Sequence, residues 1–195
     1  MILFIAGDGK TELGDWSEPP QYRAAPPRRG CLEALVSEAA GPHHEIAGSI
    51  SWKNIRSFQA GQHRSKELRN VLGAALHAKD AGCEALVFVR DRDRRPECQV
   101  EIESGLREAE GRFAELKIAG GVAIEEIEAW ILACRGERKS EAHRDAKAAL
   151  GPLSTQDKVA VIDSLASFSE LPDDAHSLKL WVSQVRARLG AGSTP

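Results

Sequence analysis

Cys83-Glu84-Ala85-Leu86-Val87-Phe88-Val89-Arg90-Asp91-Arg92-Asp93-Arg94-Arg95 is the stretch that decides the fold. Its first half is a short apolar run rich in β-branched and aromatic residues, the pattern of a strand buried on both faces. The run then breaks into alternating acid and base, which sets Asp91 and Asp93 at the strand's carboxyl end. Open parallel sheets bind ligands at that end. Two aspartates at i and i+2 repel each other. A divalent cation such as Mg²⁺ or Mn²⁺ removes that cost, because hard cations take oxygen ligands. The other reading is a solvated turn whose aspartates pair with Arg90, Arg92, Arg94 and Arg95.

Outward from this strand, here taken as 84–90, similar runs predict strands at 2–6, 45–51 and 116–123. Helical spacing of apolar residues predicts helices at 32–39, 66–79, 96–113 and 125–134. Strands alternating with helices imply an α/β fold with a parallel sheet covered on both faces. From Gly136 onward only helices are expected, at 141–150, 155–168 and 173–189. The chain therefore divides into an α/β domain at 1–135 and a helical C-terminal extension at 136–195 packed on it. Gly120-Gly121 inside the fourth strand predicts a bulge or a close backbone approach. Trp130 and Trp181 lie on helical stripes and are expected to pack. Trp52, at a strand end, is either core or a base-stacking residue. The small, polar tail at 190–195 is expected to fray.

Composition narrows the function. Of 195 residues, 42% are hydrophobic and 28% charged, which describes a folded chain rather than a disordered one. The net charge of -3 excludes a global basic field, so any nucleic-acid partner has to use a local patch. The four cysteines form no CxxC pair, so structural zinc is not expected. Free thiols inside helices and strands suit a reducing cytoplasm. The apolar start at 1–6 is too short for a signal peptide, and no stretch approaches a membrane span. Gly9-Lys10-Thr11 imitates the end of a P-loop, but the motif's other glycine would fall at Phe4, inside the strand.

The carboxyl edge of the sheet collects acids from three places: Asp8 and Glu12, Asp91 and Asp93, then Glu125, Glu126 and Glu128. Glu125 and Glu128 are three apart, so a helix would present them on one face. Such a crowd raises its own pKa values. One or two divalent metals would resolve the repulsion and suit phosphoryl chemistry.

This combination resembles the Toprim domain, the metal-binding fold of topoisomerases, bacterial primases and overcoming-lysogenization-defect nucleases. Toprim domains carry an acid and glycine after strand one, often as EG-x-[TS]-[DE], and DxD after strand three. Asp8-Gly9-Lys10-Thr11-Glu12 and Asp91-Arg92-Asp93 match those positions. Ile127-Glu128-Ala129-Trp130 is similar to the IEAW signature of small Toprim-like bacterial proteins, some encoded beside ATPases in defence-type loci. Asp8 departs from the usual glutamate and is one methylene shorter.

The resemblance implies a Toprim-like four-stranded parallel sheet and a Mg²⁺- or Mn²⁺-dependent nuclease acting on DNA or RNA. Asp91 would be the main metal ligand, with Asp8 and Asp93 completing the first site. Glu12 and Glu128 would hold a second metal or orient the attacking water. Lys10 would contact a substrate phosphate or neutralise its developing charge. Arg92, Arg94 and Arg95, with Lys53, Arg56, His63, Arg64 and Lys66, are candidates for backbone contact, or else a plain solvated face. A second function is a metal-binding regulatory partner of an ATPase without catalysis of its own. A third, a haloacid-dehalogenase-like phosphatase, would need its DxD after the first strand rather than the third.

Overall fold

Strands β1 (Ile2–Gly7), β2 (Glu45–Ser51), β3 (Ala85–Asp91) and β4 (Lys117–Ala123) form one sheet, ordered β2-β1-β3-β4. Every pairing is parallel. The structure is a computed structural model that describes residues 1–56 and 65–190. Eight α-helices flank the sheet among the described residues. They are α1 (Lys10–Leu13), α2 (Cys31–Ala40), α3 (Lys66–Asp80), α4 (Glu97–Arg112), α5 (Ile127–Cys134), α6 (Ala146–Leu150), α7 (Thr155–Asp163) and α8 (His176–Leu189). None of them is long and apolar enough to cross a membrane.

Alternation along the strands builds two cores. Leu3, Ile5, Val87 and Val89 face one side, where Leu35, Trp130, Ile162 and Val185 bring in α2, α5, α7 and α8. Phe4, Ala6, Leu86 and Phe88 face the other, against Trp52, Val71 and Leu72, Cys98 and Ile102 of α3 and α4. Strands buried on both faces read as continuous apolar runs, and β1 and β3 do. All four cysteines are free and buried.

The Gly120-Gly121 pair is a close approach, not a bulge. The β3–β4 register is unbroken across it. A Cβ on Gly120 would lie 2.1 Å from the Phe88 ring, and one on Gly121 would lie 3.4 Å from Trp181. The irregularity in the sheet falls instead between Leu3 and Phe4, where β1 meets β2. Trp181 donates its ring N–H to the Phe88 carbonyl at 3.1 Å and tilts against Trp130, with ring centroids 5.6 Å apart. Both tryptophans are core, and so is Trp52.

Local chemistry moved several expected boundaries. The loop after β1 holds the four-residue helix α1, because the Gly9 N–H donates to Glu12 Oε2 at 2.7 Å and closes the turn. The expected helix at 141–150 breaks into a 3-10 turn at Ser140–Ala142 and α6. Asp145 causes the break by capping α6, accepting from the Ala148 N–H at 2.8 Å. The helix expected from 155 ends at Asp163, and the last helix begins at His176. The expected fraying of the tail lies outside the described residues.

Candidate metal centre

The chain leaves β1 toward β2 on one side and leaves β3 toward β4 on the other. Helix α2, after β1, and helix α4, after β3, consequently pack on opposite faces. Neighbouring strands whose connections diverge in this way open a crevice at their carboxyl ends, the topological switch point. Asp8 follows β1 and Asp91 ends β3, so both stand at that crevice.

Side-chain alternation then sorts the strand end. Arg90 goes to the α3 side and Asp91 to the α5 side. The Asp91 Oδ1 accepts from the Ile127 N–H at 2.9 Å. Asp8 bridges the two strands, accepting from Arg90 Nη1 at 2.8 Å and from the Asp91 N–H at 3.0 Å. Glu12 sits over Gly7, where a Cβ would come within 2.7 Å of the Glu12 Cβ, so only glycine lets α1 lie so close. Glu128, in the first turn of α5, accepts from Lys158 Nζ at 2.7 Å. The same ammonium reaches Thr11 Oγ1 at 3.5 Å.

These groups crowd one another. Burial, then the charges of Glu12, Asp8 and Glu128, push the Asp91 carboxyl up to about 9, against the opposing pull of the Ile127 N–H. Burial raises Asp8 as well, although the Asp91 N–H and Arg90 oppose it. Burial raises Glu12, and Asp8 and Glu128 add to the shift. Three carboxylates, from the loop after β1, α1 and α5, thus gather around Asp91 at the end of β3, and the four make an all-oxygen donor set of the kind Mg²⁺ and Mn²⁺ take. The donor chemistry fits such a cation. Among the described residues, no three His, Cys, Asp or Glu side chains are already set as a ligand group. Arg90 and Lys158 hold two of the four carboxylates, and binding would have to turn those carboxylates toward the cation.

The remaining expected residues sit differently. Asp93 has a left-handed backbone at φ 52, and its carboxylate pairs with Arg90 Nη2 at 3.0 Å rather than joining Asp91. Glu125 and Glu128 do not share a helix face. Glu125 is left-handed at φ 66, lies before α5, and bonds to Arg92. Glu126 accepts from the Lys147 N–H at 3.3 Å.

The basic run is largely committed to acids of the same chain. Arg92 pairs with Glu125, and Arg95 pairs with Glu67 at 3.2 Å and Glu97 at 3.1 Å. Arg94 donates to the Arg144 carbonyl at 2.9 Å. Lys10 lies 3.9 Å from Glu18. Lys53, Arg56 and Lys66 are exposed. His63 and Arg64 lie outside the described residues.

Two residues, Glu67 and Lys158, were not singled out from the sequence, and Arg90 was named only as a partner of Asp91 or Asp93. Arg90 links Asp8, Asp93 and, at 3.7 Å, Glu67. Glu67 is buried and accepts from the Trp52 ring N–H at 2.6 Å. Lys158 is a buried cation from α7. Its signal was present: it lies four before Ile162 and one before Val159, so it stands on the apolar stripe of its helix.

Comparisons of the chain with protein-family models, with curated proteins and with solved structures find no match.

Proposed function

We propose that the chain is a Toprim-like, divalent-metal-dependent nuclease that hydrolyses phosphodiester bonds of DNA or RNA in the cytoplasm. One observation carries the reading. Asp91 is buried at the switch point beside carboxylates from the loop after β1, from α1 and from α5, and that burial, then their charges, push its carboxyl up to about 9. A strongly perturbed acid in a crevice, with named charge partners, marks a functional site.

Asp91, Asp8, Glu12 and Glu128 would hold Mg²⁺ or Mn²⁺, which when bound supplies a nucleophilic water and polarises a phosphoryl oxygen. The protein's own groups do the rest. The Ile127 N–H fixes one oxygen of Asp91. Arg90 orients Asp8. Lys158, buried and beside Thr11, offers a fixed positive charge to a phosphoryl oxygen once Glu128 turns to a cation. Asp93 belongs to the Arg90 network and supports Asp8 rather than holding a cation.

A second reading is a regulatory partner of an ATPase, without catalysis. The observation in its favour is that Arg90 and Lys158 already neutralise Asp8 and Glu128. Incubation of the pure protein with plasmid, linear DNA and RNA, in Mg²⁺, Mn²⁺ or EDTA, separates the two. Metal-dependent cleavage is expected. Intact substrates in every metal would leave the second reading.

A further inference from the structure

Beside the carboxylate cluster lies a cleft lined by Asp93, Arg94, Glu125, Glu126, Arg144, Asp145 and Lys147. The chain links it to the cluster: Glu125 and Glu126 line it and precede Ile127, whose N–H holds Asp91. Its two walls come from distant parts of the chain. One is the loop after β3 and the start of α5; the other is the segment around Asp145 that begins α6. The walls are tied together by the Arg94–Arg144 carbonyl bond and the Lys147 N–H to Glu126. The Asp93 N–H reaches the Glu125 carbonyl at 3.3 Å within the first wall.

The charges of this cleft are unevenly committed. Asp93 and Glu125 are neutralised by Arg90 and Arg92. Among the described residues, Glu126 and Asp145 accept only from backbone N–H groups, so their charge stands. Arg94 bonds to a neutral carbonyl, and Arg144 and Lys147 have no acidic partner among the described residues. Three uncompensated cations therefore face two uncompensated anions. The cations line the same cleft as Asp93, two residues past Asp91, and Glu126, which directly precedes Ile127.

We infer that Arg94, Arg144 and Lys147 grip the phosphodiester backbone of the substrate beside the bond that is cut. This deepens the nuclease reading and rests on it. It also assigns the work to residues other than most of the basic run, because Arg92 and Arg95 are held by Glu125, Glu67 and Glu97. The C-terminal segment then supplies the track along which a polynucleotide lies. Phosphate contacts of this kind position a chain and read no sequence.

The test is the double variant Arg144→Glu/Lys147→Glu, with folding checked by circular dichroism. Binding of a labelled oligonucleotide, as DNA and as RNA, is measured against salt in an Asp91→Asn background. The slope of log K on log salt is expected to fall by about 2, roughly one for each phosphate no longer held. In the wild-type background the double variant should raise KM for a polynucleotide. It should hydrolyse bis(p-nitrophenyl) phosphate, which has no flanking phosphate, at the unaltered rate. A wild type that cuts polynucleotide, paired with a double variant of unchanged KM and salt slope, overturns this inference alone. A wild type that neither cuts polynucleotide nor hydrolyses the small diester overturns the nuclease reading and the track with it.

Discussion

Lys158 Nζ stands 2.7 Å from Glu128 Oε1, and both side chains are almost fully buried. The pair joins α7 to the first turn of α5, thirty residues earlier, at the edge of the carboxylate cluster. A buried ammonium costs several kcal/mol to desolvate unless its partner repays it. Here the partner is one of four crowded carboxylates, so a single cation relieves both its own burial and part of their repulsion.

Lys158→Met should therefore be strongly destabilising without metal, by about 3–5 kcal/mol, because Glu128 is left charged and alone. Adding Glu128→Gln to the same chain should recover much of that loss. Denaturant unfolding of the two single variants and the double would measure the coupling. Additive losses would mean that the pair does not act as one unit.

Gly120→Ala should destabilise by about 1–3 kcal/mol through overpacking. The new methyl would sit 2.1 Å from the Phe88 ring, inside a core that cannot move away. Gly111→Ala offers a contrast, since it lies in α4 without a positive φ and its Cβ would meet no neighbour within 4 Å. Thermal melts of both, with equal losses, would contradict the packing argument.

Trp181→Ala should cost about 3–5 kcal/mol. The side chain is 1% exposed, packs on Trp130, and gives its N–H to the Phe88 carbonyl. The loss should appear in melts with and without Mg²⁺ alike, because the residue touches the sheet rather than the carboxylates.

The parallel sheet was legible because β1 and β3 are buried on both faces and so read as continuous apolar runs. Asp8, Glu12, Asp91 and Glu128 were legible because strand order alone brings strand ends to one edge. What sequence spacing did not reveal was which partner each charge would choose. Arg90 reaches back 82 residues to Asp8, and Lys158 reaches 30 to Glu128. Those pairings depend on how helices cross the sheet, which local periodicity does not encode. The left-handed turns at Asp93, Arg94 and Glu125 also broke the expected geometry. They carry Asp93 and Glu125 to neighbouring arginines, where a regular helix or strand would have added both to the cluster.

Divalent cations should stabilise the wild-type chain, by about 2.7 kcal/mol at a hundred times Kd. Melts in EDTA and in Mn²⁺ should differ for the wild type and converge for Asp91→Asn. Equal shifts in both proteins would put the cation elsewhere.

The pH dependence of the metal-free protein carries the last prediction. In the unfolded chain the Asp91 carboxyl has its ordinary pKa of 3.8, and in the fold it is pushed up to about 9. Below 3.8 both states hold the proton and the difference vanishes. As pH rises between those values, the unfolded chain has released its proton while the folded chain still binds one. Stability contributed by the protonated form is lost progressively across that window. Asp8 and Glu12, whose pKa values are also raised, act in the same direction. Metal-free wild type should thus melt at lower temperature at pH 8 than at pH 6. Asp91→Asn should flatten that decline, since it replaces the most shifted acid by a neutral group of the same shape. It should also melt higher than the wild type at pH 8 while cutting no substrate, because repulsion is relieved and the central ligand is gone. An Asp91→Asn protein that cuts at the wild-type rate, or one that keeps the full decline with pH, would remove Asp91 from the centre of the site.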